Sequence, residues 1–260
     1  MIDYSEYLDF IKPIVEEAGK FIIDSFGSVH TLDHKFKFEF KTKVDDDIND
    51  FLLQAIQNKY PKHSILSEES TKPENFNDWV WIIDPLDGTL NFTLGVTDLF
   101  AISVALMYKE EIILGVTYAP IRKEIYYASK GHGAYKNNER LLASKEMELS
   151  ESVVAIEYGK YDRTSILPYQ KRLLENDGVL YTYVYCNASV PMCLVADQKI
   201  QSYLALELDL WDMAAGVIIN REMGNIVTTI SGDPWDISQR SVLVGSKYLS
   251  DDILNKFKNI

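Results

Sequence analysis

The 260-residue sequence is short of basic residues, with 26 Lys and Arg against 39 Asp and Glu and a formal net charge of −13. A chain this acidic repels phosphate backbones and anionic lipid surfaces at long range, which argues against direct nucleic-acid or membrane binding. The surplus of carboxylates fits either solubility or the binding of cations. Composition alone does not separate these two uses.

Cysteine and long apolar runs are also scarce. Cys186 and Cys193 are the two cysteines, and they form neither a CxxC pair nor a zinc pattern. No apolar run is long enough to span a bilayer, and the acidic, polar N-terminus does not resemble a signal peptide. We therefore expect a reduced, cytoplasmic protein. Hydrophobic residues make up 47% of the chain, which is typical of a globular fold.

Common nucleotide-binding and hydrolase signatures are missing as well. The sequence contains no GxxxxGK[ST] loop, no GxGxxG turn and no GxSxG elbow. The acidic run over 45–50 does not fit a calcium loop, because Asp50 stands where that loop needs glycine and Ile56 where it needs glutamate. The run is better explained as the acid-rich start of a helix.

Apolar periodicity predicts helices separated by a series of short strands. The predicted helices cover 4–26, 46–59, 162–176, 191–196 and 211–223. Short apolar runs alternate with turns between 64 and 138, which indicates a largely antiparallel meander. A polar stretch over 144–152 suggests an N-terminal half, 1–147, and a C-terminal half, 148–260, packed as one unit. Helices layered against sheets predict an α+β fold or a layered α/β sandwich.

The most informative segment reads WIIDPLDGTLNF. An apolar strand delivers Asp84, Pro85 forces a turn, and Asp87 follows within reach of the first carboxylate. Gly88 permits a close approach of the backbone, and a helix starting at Thr89 would point N–H groups at the same place. Such a segment offers cation ligands and anion donors side by side, as a metal-bridged phosphate requires. The structural alternative is a surface turn at Asp87 with Asp84 as a helix cap.

Two further acidic positions support the metal hypothesis. Glu68, in the run SEES, ends a short apolar run, so two strands ending together would bring it to Asp84 and Asp87. Asp212, in LWDMAAG, lies in the first turn of a predicted helix, where it could also serve as a simple cap with Asp209. These are hard oxygen ligands with no His or Cys cluster beside them, which favours magnesium over zinc.

The segments DPLDGTLNF (84–92), SEES (67–70) and LWDMAAG (210–216) occur in the order and spacing of the inositol-monophosphatase-like family, which the chain resembles over nearly its whole length. The resemblance implies a layered αβαβα sandwich, two or three Mg²⁺ ions, lithium sensitivity and a homodimer. It also implies hydrolysis of a small phosphate ester, such as inositol monophosphate or a related sugar or polyol phosphate, by a metal-activated water.

The same resemblance implies roles for individual residues. The implied metal ligands are the side chains of Glu68, Asp84, Asp87 and Asp212 with the backbone carbonyl of Leu86. Gly88 and Thr89 would bind the phosphate through their N–H groups. Thr89, with Asp45 behind it, would help Glu68 orient and deprotonate the attacking water. The substrate would contact Asn187, Ala188 and Asp212.

The chain departs from the inositol-specific pattern at its substrate end. Cys186-Asn187-Ala188 replaces the Gly-Ser/Thr-Ala turn of that pattern. Ala205 stands seven residues before Asp212, where such members place a glutamate against the sugar hydroxyls, and Glu207 could substitute only through a loop shift. These departures affect the substrate and leave the reaction unchanged.

Three alternatives therefore stay open. A 3′(2′),5′-bisphosphate nucleotide phosphatase would suit WDMAAG, although such members commonly carry Lys-Glu or Lys-Gly where this chain has Leu90-Asn91. A fructose-1,6-bisphosphatase-type activity is the second alternative. The third is a regulatory binding protein, because some bacterial relatives act in RNA-linked regulation.

Overall fold

The structure is a computed structural model that describes residues 4–28, 33–34, 40–71, 76–143, 147–160, 162–258 and 260. The helices are α1 (Ser5–Ser25), α2 (Lys43–Lys59), α3 (Thr89–Leu94), α4 (Leu167–Leu174), α5 (Ser189–Ala196), α6 (Leu210–Glu222) and α7 (Lys247–Phe257). A short 3₁₀ turn covers Leu149–Glu151. Across these ranges every helix is too short or too polar to serve as a membrane span.

The strands form three sheets. A small antiparallel pair consists of β1 (Asp33–His34) and β2 (Phe40–Lys41). The seven-stranded sheet contains, in order, β3 (Ser64–Ser67), β4 (Trp79–Asp87), β5 (Ala101–Tyr108), β6 (Glu111–Ala119), β7 (Glu124–Ser129), β8 (Gly133–Lys136) and β9 (Glu139–Arg140). The five-stranded sheet has the order β11 (Tyr181–Val184), β10 (Val153–Glu157), β12 (Ser202–Ala205), β14 (Val242–Gly245), β13 (Ile226–Thr228).

Helices and sheets alternate in five layers, so the layered αβαβα sandwich is confirmed. α1 and α2 pack on one face of the seven-stranded sheet, and α5 and α6 lie between the two sheets. α4 and α7 cover the outer face of the five-stranded sheet. Buried apolar residues form one core at each of these three helical layers, and the middle core draws residues from both sides of the expected boundary near 148. The division into two halves stays a prediction.

Small residues allow the middle layer to pack closely. A Cβ added to Gly115 of β6 would lie 2.7 Å from the Cα of Ala215 in α6. A Cβ added to Gly216 would lie 2.7 Å from the Sδ of Met192 in α5. The small residues Ala214, Ala215 and Gly216 therefore let α6 pack directly against its neighbours. This close packing fixes the position of the helix that carries Asp212.

Two local expectations were wrong. The helix predicted over 162–176 begins at Leu167, because the preceding residues form a polar turn in which Asp162 accepts bonds from the N–H and hydroxyl of Thr164. Strand β4 does not end at Asp84 but continues to Asp87. Its pairing with β5 shifts between these two residues, which marks a bulge around Pro85.

Candidate active site

The ends of β3 and β4 bring the first acidic residues together. The two strands run parallel with Ser67 opposite Ile83, and the N–H of Glu68 donates to the carbonyl oxygen of Ile83 at 3.1 Å. Asp84 pairs with Ser103 and Asp87 with Ala101, so three steps on β4 match two on β5. The bulge thus places one extra residue in β4. Without it, side chains three positions apart on a strand would point to opposite faces of the sheet, and with it Asp84 and Asp87 point to the same face.

Asp87 is fixed by the loop that leads into α5. Its Oδ2 accepts bonds from the backbone N–H of Ala188 (3.0 Å), the N–H of Ser189 (2.6 Å) and the hydroxyl of Ser189 (2.5 Å). Asp84 is held locally, because its Oδ1 accepts from the N–H of Leu86 at 3.1 Å. One aspartate is therefore positioned within its own turn, and the other ties β4 to the second half of the chain.

Asp212 reaches the same place from the start of α6. Asp209 caps this helix, and its N–H donates to Oδ2 of Asp212 at 2.7 Å in a reciprocal capping box. Lys160, in the loop after β10, places its Nζ 3.2 Å from the same Oδ2 and 3.1 Å from Oδ2 of Asp209. Asp212 thus takes part in capping its helix, with Asp209 as the N-cap residue. It also lies close enough to the other acids for their charges to affect its pKa.

The acidic side chains line one open cavity of about 490 Å³, which we call the acidic cavity. Its lining residues are Phe40, Glu68, Asp84, Leu86, Asp87, Gly88, Thr89, Leu90, Lys160, Cys186 and Asp212. Every residue that the sequence indicated as a metal or phosphate ligand is among them. The structure therefore brings together the segments SEES, DPLDGT and WD, which are far apart in the sequence.

Burial and mutual repulsion disturb the ionisation of these acids. Burial, with the charges of Glu68, Asp87 and Asp212, holds the pKa of Asp84 well above its ordinary value. Burial and the charge of Asp212 raise the pKa of Asp87 to about 6. Burial also raises the pKa of Asp212 to about 6, against the opposing effect of Lys160. The ionised cluster is thus costly unless cations neutralise it.

The donors suit a hard divalent cation. Carboxylate and carbonyl oxygens are the ligands that Mg²⁺ takes, and the Lys160 ammonium already lies on one of the carboxylates. Within the described ranges, no three acidic, His or Cys side chains stand close enough together to form a metal-ligand group. The cavity therefore contains oxygen ligands that suit a metal ion, but their side chains are not yet close enough together to coordinate one.

A hydroxyl and a carboxylate form a second feature of the acidic cavity. The Thr89 hydroxyl lies 3.0 Å from Oδ1 of Asp45 and 3.0 Å from the carbonyl oxygen of Leu86. Asp45 in turn accepts from the N–H (2.8 Å) and hydroxyl (2.7 Å) of Thr42, which is the N-cap of α2. Burial raises the pKa of Asp45, and the charge of Glu68 adds to this shift. Thr89, which lines the cavity, and Asp45 behind it thus lie within hydrogen-bond distance of each other.

A second cavity of about 710 Å³ adjoins the first; we call it the adjoining cavity. Glu157, at the end of β10, lines it and lies directly opposite Ala205 of β12 in the sheet register. Burial raises the pKa of Glu157 to about 8, and among the residues that the structure describes its buried Oε2 has no hydrogen-bond partner. Glu207 is not among the residues that line this cavity. Its carboxylate packs closely against Gly159 instead, because a Cβ added to Gly159 would lie 2.5 Å from Oε2 of Glu207.

The turn that departs from the inositol pattern lies between the cavities. Cys186 adopts a left-handed backbone with φ of 56° and lines both. Asn187 and Ala188 line the adjoining cavity, but each is already engaged: the Asn187 amide donates to the carbonyl oxygen of Leu99, and the Ala188 N–H to Asp87. Their assignment as substrate contacts stays a prediction.

The sequence did not single out Glu157, Lys160 and Arg163, which line the adjoining cavity, or Ser189, which donates to Asp87. The first three lie at the end of β10 and in the loop after it, and Ser189 begins α5, with no local motif around any of them. The alignment of Glu157 with Ala205 follows from strand register, which pattern reasoning does not supply. Two departures gave a signal that this side is altered: Ala205 seven residues before Asp212, and Cys186-Asn187-Ala188 in place of the Gly-Ser/Thr-Ala turn.

Comparisons with known proteins identify relatives of this chain over nearly its whole length. A model of the inositol monophosphatase family matches residues 3–260. Inositol-1-monophosphatase of Bacillus subtilis is 32% identical over 99% of this chain and 98% of that protein. Fructose-1,6-bisphosphatase/inositol-1-monophosphatase of Aquifex aeolicus is 29% identical, covering 99% and 97%. The solved structure of extragenic suppressor protein suhB from Bartonella henselae superimposes with a TM-score of 0.91 at 25% identity, covering 98% and 99%.

Proposed function

The chain belongs to the inositol monophosphatase family and is a metal-dependent phosphoric monoester hydrolase, and we propose that it uses two or three Mg²⁺ ions to hydrolyse inositol monophosphate or a related sugar or polyol phosphate. The observation that carries this proposal is the convergence of Glu68, Asp84, Asp87 and Asp212 on one cavity beside the Thr89–Asp45 pair. Resemblance and geometry thus support the same residues independently.

The side chains of those four acids and the carbonyl of Leu86 hold the metal ions in this proposal. When bound, divalent cations lower the pKa of water and offset negative charge on the phosphoryl oxygens. The backbone N–H groups of Gly88 and Thr89 bind the phosphate. Gly88 suits this role, because its φ of 89° is unfavourable for other residues and a Cβ would lie 3.0 Å from the carbonyl oxygen of Leu99.

Glu68 and the Thr89–Asp45 pair orient the attacking water and accept its proton. The Thr89 hydroxyl can pass its own proton to Asp45 while taking one from the water, because the two side chains lie 3.0 Å apart. Asp45 is a suitable acceptor, since burial raises its pKa. The bonds from Thr42 keep its carboxylate oriented towards Thr89.

A specific observation favours a second candidate substrate. Lys160 and Arg163 both line the adjoining cavity, whereas Ala205 removes the glutamate that holds sugar hydroxyls in inositol-specific members. Two cations beside a phosphate site suit a substrate with a second anionic group, such as fructose 1,6-bisphosphate or a 3′(2′),5′-bisphosphate nucleotide. The name of the Aquifex aeolicus relative includes the first of these activities.

Three further features belong to the proposal. We expect lithium to inhibit the enzyme and two copies to form a homodimer, as the family resemblance implies. A cytoplasmic location fits the two free cysteines. A regulatory binding role is the non-enzymatic alternative.

Phosphate release from a small panel tests the proposal. The panel contains inositol 1-phosphate, fructose 1,6-bisphosphate and adenosine 3′,5′-bisphosphate, each with Mg²⁺, with Mg²⁺ and Li⁺, and with EDTA. We expect release that requires Mg²⁺ and falls with Li⁺. Preference for a bisphosphate would select the second candidate, and Mg²⁺-independent release or none at all would overturn the proposal.

A further inference from the structure

Lys160 is a cation placed inside the acidic cavity. Its Nζ lies 3.2 Å from Oδ2 of Asp212 and 3.1 Å from Oδ2 of Asp209, and only 16% of its side chain is exposed. The ammonium also lies 5.6 Å from the centre of the Trp211 ring. The side chain is therefore held by two carboxylates and an aromatic face at the start of α6.

The loop that carries Lys160 is fixed by close packing. A Cβ added to the preceding Gly159 would lie 2.5 Å from Oε2 of Glu207 and 2.8 Å from the carbonyl oxygen of Asp162. No larger residue fits there without displacing the loop. Lys160 thus projects from a backbone whose position the fold imposes.

Lysine suits a contact that must be given up. A metal ion and an ammonium on one carboxylate repel each other, because like charges a few ångströms apart interact strongly in a partly buried site. Lysine carries its charge on a flexible stem of four methylenes and can withdraw without moving the backbone. Because Lys160 lines the adjoining cavity too, the displaced ammonium has space there.

We propose that Lys160 is a built-in counter-ion of the metal site: it neutralises Asp212 while no metal is bound and releases Asp212 when a divalent cation binds. Lys160 thereby weakens metal affinity and stabilises the metal-free fold. The inference rests on the proposed function, because it needs Asp212 to be a metal ligand. It concerns the strength of metal binding and not the chemical step.

Calorimetric titration of the metal-stripped full chain with Mg²⁺ tests the counter-ion role. Lys160→Gln should bind Mg²⁺ about tenfold more tightly than the parent protein, and Lys160→Arg, which keeps the charge, should bind much as the parent does. Lys136→Gln is the matched control, because Lys136 also pairs with two carboxylates, Glu124 at 2.8 Å and Asp197 at 2.9 Å, outside both cavities. Its Mg²⁺ affinity should not change.

A second measurement needs no substitution. An amine-reactive ester should acylate Lys160 of the parent protein several-fold faster with Mg²⁺ than with EDTA, read by mass spectrometry, while Lys136 reacts equally in both. Unchanged or slower labelling of Lys160, or unchanged affinity of Lys160→Gln, would overturn the counter-ion role alone. Absence of Mg²⁺ binding in the parent protein and all three variants would overturn the proposed function as well.

Discussion

The acidic cavity and the adjoining cavity share a wall but differ in construction. The acidic cavity takes most of its residues from the ends of β3 and β4 and the start of α3, within the stretch 67–92. The adjoining cavity is assembled mainly from the end of β10 and the loop that follows it, with Leu208 after β12 and the turn before α5. Lys160 and Asp212 line both cavities, Glu68 and Asp84 line only the first, and Glu157 and Arg163 line only the second. We therefore propose that the reaction and the choice of substrate depend on different parts of the chain.

The largest effect should come from removing an acid of the first cavity. Asp87→Asn takes away the proposed metal ligand while leaving an oxygen to accept from Ala188 and Ser189. We expect phosphate release to fall by roughly 10³-fold, because several kcal/mol of charge stabilisation are lost. Steady-state kinetics measure this effect, and circular dichroism shows whether the fold persists. A variant that keeps a tenth of the activity would remove Asp87 from the metal site.

A smaller loss of activity is expected from substituting Asp45, which has a proposed role in proton transfer and not in metal binding. Asp45→Asn should lower kcat by about 10²-fold, because Thr89 would lose its proton acceptor. Asp47→Asn is the control, since Asp47 lies on the same helix and pairs with Lys43 at the surface. Asp45 also belongs to the capping box of α2, so the unfolding free energy of Asp45→Asn should fall by about 1 kcal/mol. Equal kcat in the two variants would exclude the proton path.

The two cavities also differ in how much of them the sequence predicts. Asp84, Asp87, Gly88 and Thr89 are close neighbours in the chain, so their type and spacing already indicate a metal-bridged phosphate site. The bulge at Pro85 was not foreseen, because a proline signals a turn without telling whether pairing resumes after it. The family resemblance and the layered fold are confirmed by the family match and the sheet order.

The adjoining cavity could not be assembled in this way. Its residues meet only through the pairing of β10 with β12 and the packing of the turn before α5, and strand partners within a parallel arrangement are not encoded locally. Ala205 and Glu207 could be singled out from their spacing to Asp212, but not Glu157, which register places opposite Ala205. The residues of the adjoining cavity could not be predicted because the pairing of distant strands, and not the chemistry of the residues, brings them together.

Specificity should change when a carboxylate is introduced at position 205, opposite Glu157 of the adjoining cavity. Ala205→Glu is expected to raise kcat/KM for inositol 1-phosphate relative to fructose 1,6-bisphosphate by about tenfold, because the new group accepts from sugar hydroxyls and repels a second phosphate. Ala205→Gln separates these causes, since it keeps the hydrogen-bonding oxygen and lacks the charge. An unchanged ratio in both variants would show that position 205 does not contact the substrate.

The smallest effect concerns stability and not turnover. Burial raises the pKa of Glu157 to about 8 from 4.5, so the folded chain holds this proton more tightly than the unfolded chain. The resulting stabilisation is complete below about pH 4.5 and is lost as the pH rises through about 8. Glu157→Gln should remove this part of the pH dependence and should therefore be more stable than the parent protein at high pH. Urea unfolding across this range measures it, and parallel curves for the two proteins would contradict it.

We propose that Glu68, Asp84, Asp87 and Asp212 form one metal site, and anomalous diffraction from crystals soaked with Mn²⁺ is the sharpest test of this site. Anomalous peaks should appear inside the acidic cavity, within about 2.3 Å of oxygens from these carboxylates. Crystals of Asp87→Asn should show weaker peaks or none. Peaks elsewhere on an active protein, with none in this cavity, would rule out a metal site formed by these four acids.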